Sequence, residues 1–170
     1  MDKLYSHNFN NLVLNKIELV VFDFDGVFTD NCVWTMQDGT EAVRCWRSDG
    51  LGIARLSGVG VKAYIISTET NPVVSKRAEK LKIECLQAVE NKAVAIRSLC
   101  ASLNIDAENT MFVGNDINDI AAFKFVSIPV AVADAYPEVM EHVVFKTSRP
   151  GGFGAVREIC DLIYFAKTKS

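Results

Sequence analysis

A parallel α/β sheet with helices on both faces is the fold this sequence predicts, and three features predict it. Unbroken apolar runs of strand length recur along the chain, segments of helical period separate them, and polar clusters rich in carboxylates follow the runs. An unbroken run marks a strand covered on both sides, because a strand with one wet face alternates apolar and polar residues.

The first run is Ile17 to Phe22. Val61 to Ile66, Thr110 to Val113 and Ile128 to Val132 follow, with weaker runs at Ile83 to Leu86 and His142 to Phe145. Helical patterns fill the intervals at Pro72 to Leu81, Asn91 to Leu103, Asp119 to Phe125 and Gly154 to Phe165. In the second of these, Ala93, Ile96, Leu99, Cys100 and Leu103 share one face. Cys32 to Trp46 departs from the alternation, because WTMQDGTEAVRCW sets a DG turn between two β-forming stretches, a hairpin signal. Between Asp25 and Ser67 there is room for this hairpin and one helix, and between Ser67 and Lys92 for a helix and a short strand. No cap domain fits in either interval. The expected organisation is one domain over 1–170, with an ordered core of about 11–166 and loose ends in the first ten or so residues and in KTKS.

With 170 residues and 49% hydrophobic content the chain can bury a real core. A net charge of -3 disfavours a nucleic-acid partner, which calls for a basic face, so a small molecule is expected. Cys32, Cys45, Cys85, Cys100 and Cys160 are scattered without a C-x-x-C pair, which predicts reduced thiols and a cytoplasmic setting. His7 and His142 read as surface or structural residues. No run reaches the roughly 18 residues that span a bilayer, and the start lacks a secretory h-region, so no membrane partner is expected.

Ligands of an open parallel sheet bind beyond the carboxyl ends of its strands. Asp23, Asp25 and Thr29 follow the first run, Ser67, Thr68 and Glu69 the second, and Gly114, Asn115, Asp116 and Asp119 the run that starts at Thr110. Lys92 opens a helix on the same side. Oxygen donors with few nitrogens suit Mg²⁺, and a Lys and a Ser beside it suit a phosphoryl group. A cation also explains why Asp23 and Asp25 tolerate each other. One is left ionised as a nucleophile and the other protonated as a proton donor.

The ordered pieces DFDGVFTD, the strand-end Ser67, Lys92 and GNDIND resemble the haloacid dehalogenase-like hydrolases, a superfamily with a Rossmann-like sheet. The resemblance implies that Asp23 attacks phosphorus and that Asp25 protonates the leaving oxygen and then activates water. It implies Mg²⁺ held by Asp23, Asp25 through its carbonyl, and Asn115 or Asp116, with Ser67 and Lys92 on the phosphoryl oxygens and Asp119 positioning Lys92. WRSDGLGI, VAVADAYPEV and RPGGFGAVREICDLI narrow the likeness to phosphatases of eight- and nine-carbon keto-sugar acids and to the C-terminal domain of acylneuraminate cytidylyltransferases. Similar proteins are tetramers, in which the hairpins form a central barrel and a neighbour's glycine-rich segment covers the open site. Arg47, Asp49, Thr68, Glu69, Arg149, Gly151 and Gly152 are then the expected substrate contacts, with Arg157 beside them.

Two residues depart from the pattern. Octulosonate phosphatases of this kind carry Thr-Gly-Arg where this chain has Ser67-Thr68-Glu69, so a nine-carbon, sialic-acid-like substrate is favoured. Asn115 stands where many relatives have Asp, which keeps open a rival reading as a weakly active or non-catalytic tetramerisation domain.

Overall fold

A computed structural model describes residues 11–168. Its main sheet has six strands, all parallel, in the order β5-β4-β1-β6-β7-β8. These are β1 (Leu19–Phe22), β4 (Lys62–Ile66), β5 (Glu84–Leu86), β6 (Thr110–Gly114), β7 (Ile128–Ala131) and β8 (Phe145–Lys146). β2 (Thr29–Thr35) and β3 (Glu41–Cys45) form the separate hairpin. The helices are α1 (Asn11–Leu14), α2 (Asp49–Gly58), α3 (Val73–Leu81), α4 (Lys92–Leu103), α5 (Ile120–Phe125) and α6 (Ala155–Thr168).

β1 lies centrally and all four of its residues are buried. Val20 and Phe22 point into a core shared with α2, α3 and α6, while Leu19 and Val21 point into a second core under α4 and α5. This two-sided burial is the physical origin of the unbroken apolar run.

Two expectations need correction. The last strand falls at Phe145–Lys146 and not at His142 to Phe145, because Pro137 opens a 3-10 turn that carries the chain through His142. Lys167 and Thr168 of KTKS belong to α6, and Lys167 Nζ donates to the Asn15 carbonyl at 2.7 Å. The expected looseness of the first ten residues, and of the final two, lies outside the described residues. Among the described residues no helix is long and apolar enough to cross a membrane.

The hairpin turns at Gly39 (φ 82) and begins at Thr29, before the expected Cys32. A two-stranded ribbon alone is marginal in water. Here Arg44 Nε meets Asp30 Oδ2 across its two strands at 2.9 Å, and two bonds tie it to the body: Asn71 Nδ2 donates to Glu41 at 2.9 Å, and Arg77 donates to the Trp46 carbonyl at 2.9 Å.

Candidate active site

Register brings the acidic ends together. Phe22 stands level with Ile65 on β4 and Val113 on β6, so the residues that follow, Asp23, Ser67 and Asn115, emerge side by side. The Asp23 N–H prolongs the ladder by donating to the Val113 carbonyl at 2.9 Å, and the Ser67 N–H donates to Leu86 at 2.9 Å. A cleft of about 160 Å³ opens there, lined by Asp23, Asp25, Asn31, Ser67, Thr68 and Asn115, with Asp116 to Asn118 at its edge. A roomier groove of about 780 Å³ lies by the starts of β4 and β5 and holds no paired carboxylates, so size does not mark the site.

Lys92 is the organising charge. Asn91 caps α4 by accepting the Val94 N–H at 3.2 Å, and the buried stripe of this helix runs Lys92, Ile96, Leu99, Cys100. A lysine therefore occupies a core position, 1% exposed, and it survives burial because Asp23 Oδ1 and Asp119 Oδ1 hold its ammonium at 2.7 and 2.6 Å. Burial works to lower its pKa, but the two carboxylates outweigh burial and hold it above the ordinary value. Asp119 Oδ2 in turn accepts the N–H groups of Asn115 at 2.8 Å and Asp116 at 3.3 Å, so its carboxylate is fully engaged.

Two carboxylates share one ammonium, which leaves the buried group one negative charge in excess. Burial, with Asp119 adding to it, pushes Asp23 up to about 7. Asp25 is also raised, chiefly by burial and then by the charge of Glu69, while Thr29 Oγ1 faces its Oδ1 at 3.4 Å. Such a surplus calls for a cation.

The donor set fits one. In one orientation of the Asn115 amide its NH₂ would donate to Asp23 Oδ2 at 3.3 Å and to the Asp25 carbonyl at 3.0 Å; in the other its oxygen faces both. In that second orientation the Asn115 oxygen stands 3.3 Å from Asp23 Oδ2 and 3.0 Å from the Asp25 carbonyl, close to the roughly 3 Å spacing of neighbouring ligands around a hard divalent ion with bonds of about 2.1 Å, which favours it. Among the described residues no three His, Cys, Asp or Glu side chains converge, so the fit rests on carboxylate, carbonyl and amide oxygen. Asp116 lines the cleft, but its Oδ1 accepts the Ile117 N–H at 2.7 Å as a helix cap.

The expected substrate contacts divide. Thr68 lines the cleft, and Glu69 sits beside it with Oε1 accepting the N–H groups of Thr70 and Asn71 at 2.6 and 2.9 Å, which lowers its pKa. Arg47 is exposed and outside the cleft. Arg149 and Arg157 border a different groove of about 450 Å³ with Phe165. Gly151 and Gly152 do not reach outward: both are buried against the chain's own loop after β1, with the Gly152 N–H donating to Val27 at 3.1 Å. They are packing glycines here, because that loop leaves no room for a Cβ.

Asp49 is likewise not a cleft residue. It is fully buried between α2 and α6, where Oδ1 accepts the Arg157 N–H at 3.2 Å and Oδ2 has no partner. Burial pushes its pKa from 3.8 to about 7. Folding therefore binds a proton that the unfolded chain releases, a penalty absent below pH 4, growing up to pH 7 and full above it, at most about 4 kcal/mol. Asp49→Asn keeps an acceptor for Arg157 and removes the charge. It is expected to melt several degrees above the native chain at pH 8 and level with it at pH 4; calorimetric melts at both pH values check the difference.

Asn31 is a cleft residue that the strand-end reading misses. It lines the cleft from a left-handed conformation (φ 62), held by its N–H donating to Thr29 Oγ1 at 3.2 Å. Asn tolerates that region better than most residues, which is the one signal the sequence offered.

The family model for haloacid dehalogenase-like hydrolases matches residues 62–151. The chain belongs to this family. The 3-deoxy-D-manno-octulosonate 8-phosphate phosphatase of Escherichia coli K12 is 35% identical over 155 residues, 91% of this chain and 82% of that protein. The Moraxella catarrhalis enzyme of the same name, solved with magnesium, phosphate and KDO, superposes with a TM-score of 0.89 at 28% identity, covering 94% of this chain and 92% of that one. A cobalt-bound octulosonate 8-phosphate phosphatase from Haemophilus influenzae gives 0.87 at 32% identity, with 92% of each chain covered. This member of the family is a phosphoric monoester hydrolase, and its relatives bind divalent metal ions.

Proposed function

We propose that this hydrolase removes phosphate from the ester of an eight- or nine-carbon 2-keto-3-deoxy sugar acid in the cytoplasm, as one catalytic domain. The observation that carries the reading is Lys92, buried between Asp119 and Asp23, the latter lining a cleft with Asp25, Ser67 and Asn115. A non-catalytic assembly domain would have no reason to bury a lysine there, since an apolar side chain would fill the position at lower cost.

The Asp23 carboxylate forms a bond to phosphorus as the ester P–O bond breaks, and Asp25 gives its proton to the leaving alkoxide. Asp25 then takes a proton from water, which attacks the aspartyl-phosphate, releasing phosphate and restoring Asp23. Its raised pKa suits the donor step. Ser67 Oγ and Lys92 Nζ hold phosphoryl oxygens as charge builds. Asp119 keeps Lys92 in place. Mg²⁺ bound by Asp23, the Asp25 carbonyl and Asn115, with Asp116 as the further candidate, would supply positive charge to the phosphoryl group.

The named relatives favour the eight-carbon ester. Glu69 is the observation that favours the nine-carbon one, since a carboxylate beside Thr68 repels a substrate acid and welcomes hydroxyl donors. Phosphate release from 3-deoxy-octulosonate 8-phosphate and a nonulosonate 9-phosphate, assayed with and without Mg²⁺, decides. Turnover of one ester at least tenfold above the other, lost on chelation, is expected; turnover of neither overturns the reading.

The hairpin exposes apolar side chains on both of its faces, with Val33 at 52%, Trp34 at 55% and Met36 at 51%, and this supports a homotetramer. Val33→Glu with Trp34→Glu is expected to convert a tetrameric mass to a monomeric one in light scattering, with helix content unchanged. A native monomer would rule the tetramer out.

A further inference from the structure

The geometry points to Gln87 as a positioning residue that holds the Ser67 loop in register with Lys92. This inference rests on the reading of Ser67 and Lys92 as the phosphoryl-holding pair. Gln87 does not line the cleft, yet its amide Nε2 donates to two carbonyls of the loop after β4, Glu69 at 3.3 Å and Asn71 at 2.8 Å. The backbone beside it continues the clamp: Ala88 N–H donates to the same Glu69 carbonyl and Val89 N–H to Ser67, both at 3.1 Å. The Ser67 N–H closes it by donating to Leu86 at 2.9 Å.

The strap from Leu86 to Val89 thus binds the loop from Ser67 to Asn71 along its whole length, and it leads within three residues to Lys92. Ala88 takes a left-handed conformation (φ 54), which a side chain disfavours and which the surrounding bonds must enforce. The strain has a use. It turns two successive N–H groups, Ala88 and Val89, toward the neighbouring loop while the chain descends into α4.

Ser67 has little else to fix its direction. Its Oγ accepts the Glu69 N–H at 3.0 Å, so the hydroxyl's aim depends on where the Glu69 backbone sits, and the carbonyl of the same residue is the one gripped by both Gln87 and Ala88. The far end of the loop is anchored through Asn71, whose carbonyl takes the shorter Gln87 bond and whose side chain reaches Glu41 on the hairpin at 2.9 Å. Removing the Gln87 amide leaves the Glu69 carbonyl to the Ala88 N–H and the Asn71 carbonyl to the longer Val74 N–H bond at 3.3 Å, which loosens the loop, so Ser67 loses its aim while Lys92, pinned by two carboxylates, keeps its own.

The test compares the native protein with Gln87→Met, which keeps the length without a donor, and Gln87→Lys, which keeps a donor of similar reach. Three quantities are read: kcat with octulosonate 8-phosphate and nonulosonate 9-phosphate, the affinity for inorganic phosphate in the presence of Mg²⁺ by calorimetry, and Tm. Gln87→Met is expected to lower kcat and phosphate affinity by about tenfold each, the scale of a small misplacement, with Tm changed by no more than a few degrees. Gln87→Lys restores both to within about threefold of native. In a Ser67→Ala background the further loss from Gln87→Met shrinks to about twofold or less, because the group it positions is already gone.

Native kcat and phosphate affinity in Gln87→Met overturn the inference. So does the same loss with and without Ser67, or a failure of Gln87→Lys to rescue. If Ser67→Ala and Lys92→Ala themselves bind phosphate as the native protein does, the phosphoryl-holding reading fails first and the inference falls with it.

Discussion

Asp23→Asn is expected to reduce phosphate release by at least about a thousandfold while the protein stays folded. The amide has the carboxylate's shape but no electron pair able to bond to phosphorus, so the covalent route closes. The fold gains, since Asp23 is 5% exposed and shares a single ammonium with Asp119. Neutralising it leaves Lys92 and Asp119 as a balanced pair. In a chelator the variant should therefore melt at or above the native temperature. Excess Mg²⁺ should reverse the order, because a cation that binds only the folded native site stabilises it by mass action and the variant has lost a ligand. Turnover kept in the variant, or an unfolded variant, would refute the assignment of Asp23; thermal melts with and without metal, beside the phosphate assay, give both answers.

This opposition of activity and stability explains why so much of the site is legible in the sequence. A buried strand that ends in Asp23, and a core stripe that begins with Lys92, break the rule that interiors are apolar, and such breaks stand out against the runs that surround them. β1, β6 and β7 are readable for the complementary reason, each being covered on both faces, and β4 shares this at its buried carboxyl end. α2 gives almost no periodic signal. Its sequence DGLGIARLSG packs closely on α6 because Gly52 lets that helix approach, and a Cβ there would stand 2.9 Å from that of Cys160. Only the length between the hairpin and Ser67 betrays it.

What stays hidden is whatever depends on a distant partner. Gln87 reads as any polar residue after a short strand until the loop from Ser67 is laid beside it. Family likeness implies substrate contacts for Asp49 and the two glycines, while within this chain Asp49 is buried and the glycines pack on the backbone between Gly26 and Asp30, contacts that no local pattern announces. Local pattern records which face a residue turns inward; it does not record what that residue meets.

Gly151 shows how large such a hidden contact can be. A Cβ at this position would overlap the Gly26 carbonyl and stand 3.0 Å from the Thr29 carbonyl, and neither is a side chain that can turn aside. Gly151 is not among the residues with positive φ, so Gly151→Ala brings no backbone strain and its whole effect is steric. Opening that contact is expected to cost about 3 kcal/mol, the upper range for overpacking, and to lower Tm by roughly 6–12 °C in a chain of this size. Gly39→Ala is the matched control. There the φ of 82 is unfavourable for alanine but the space is open, so the loss should be nearer 1 kcal/mol. The two variants should differ in activity as well. Gly26 directly follows Asp25, and its peptide carries the Asp25 carbonyl that faces Asn115. Pushing Gly26 aside must move that oxygen, so Gly151→Ala should lose turnover together with stability, and Gly39→Ala at the hairpin tip should lose only stability. Equal activities at a temperature where both are folded would mean that the loop after β1 can shift without disturbing the oxygens that hold the metal.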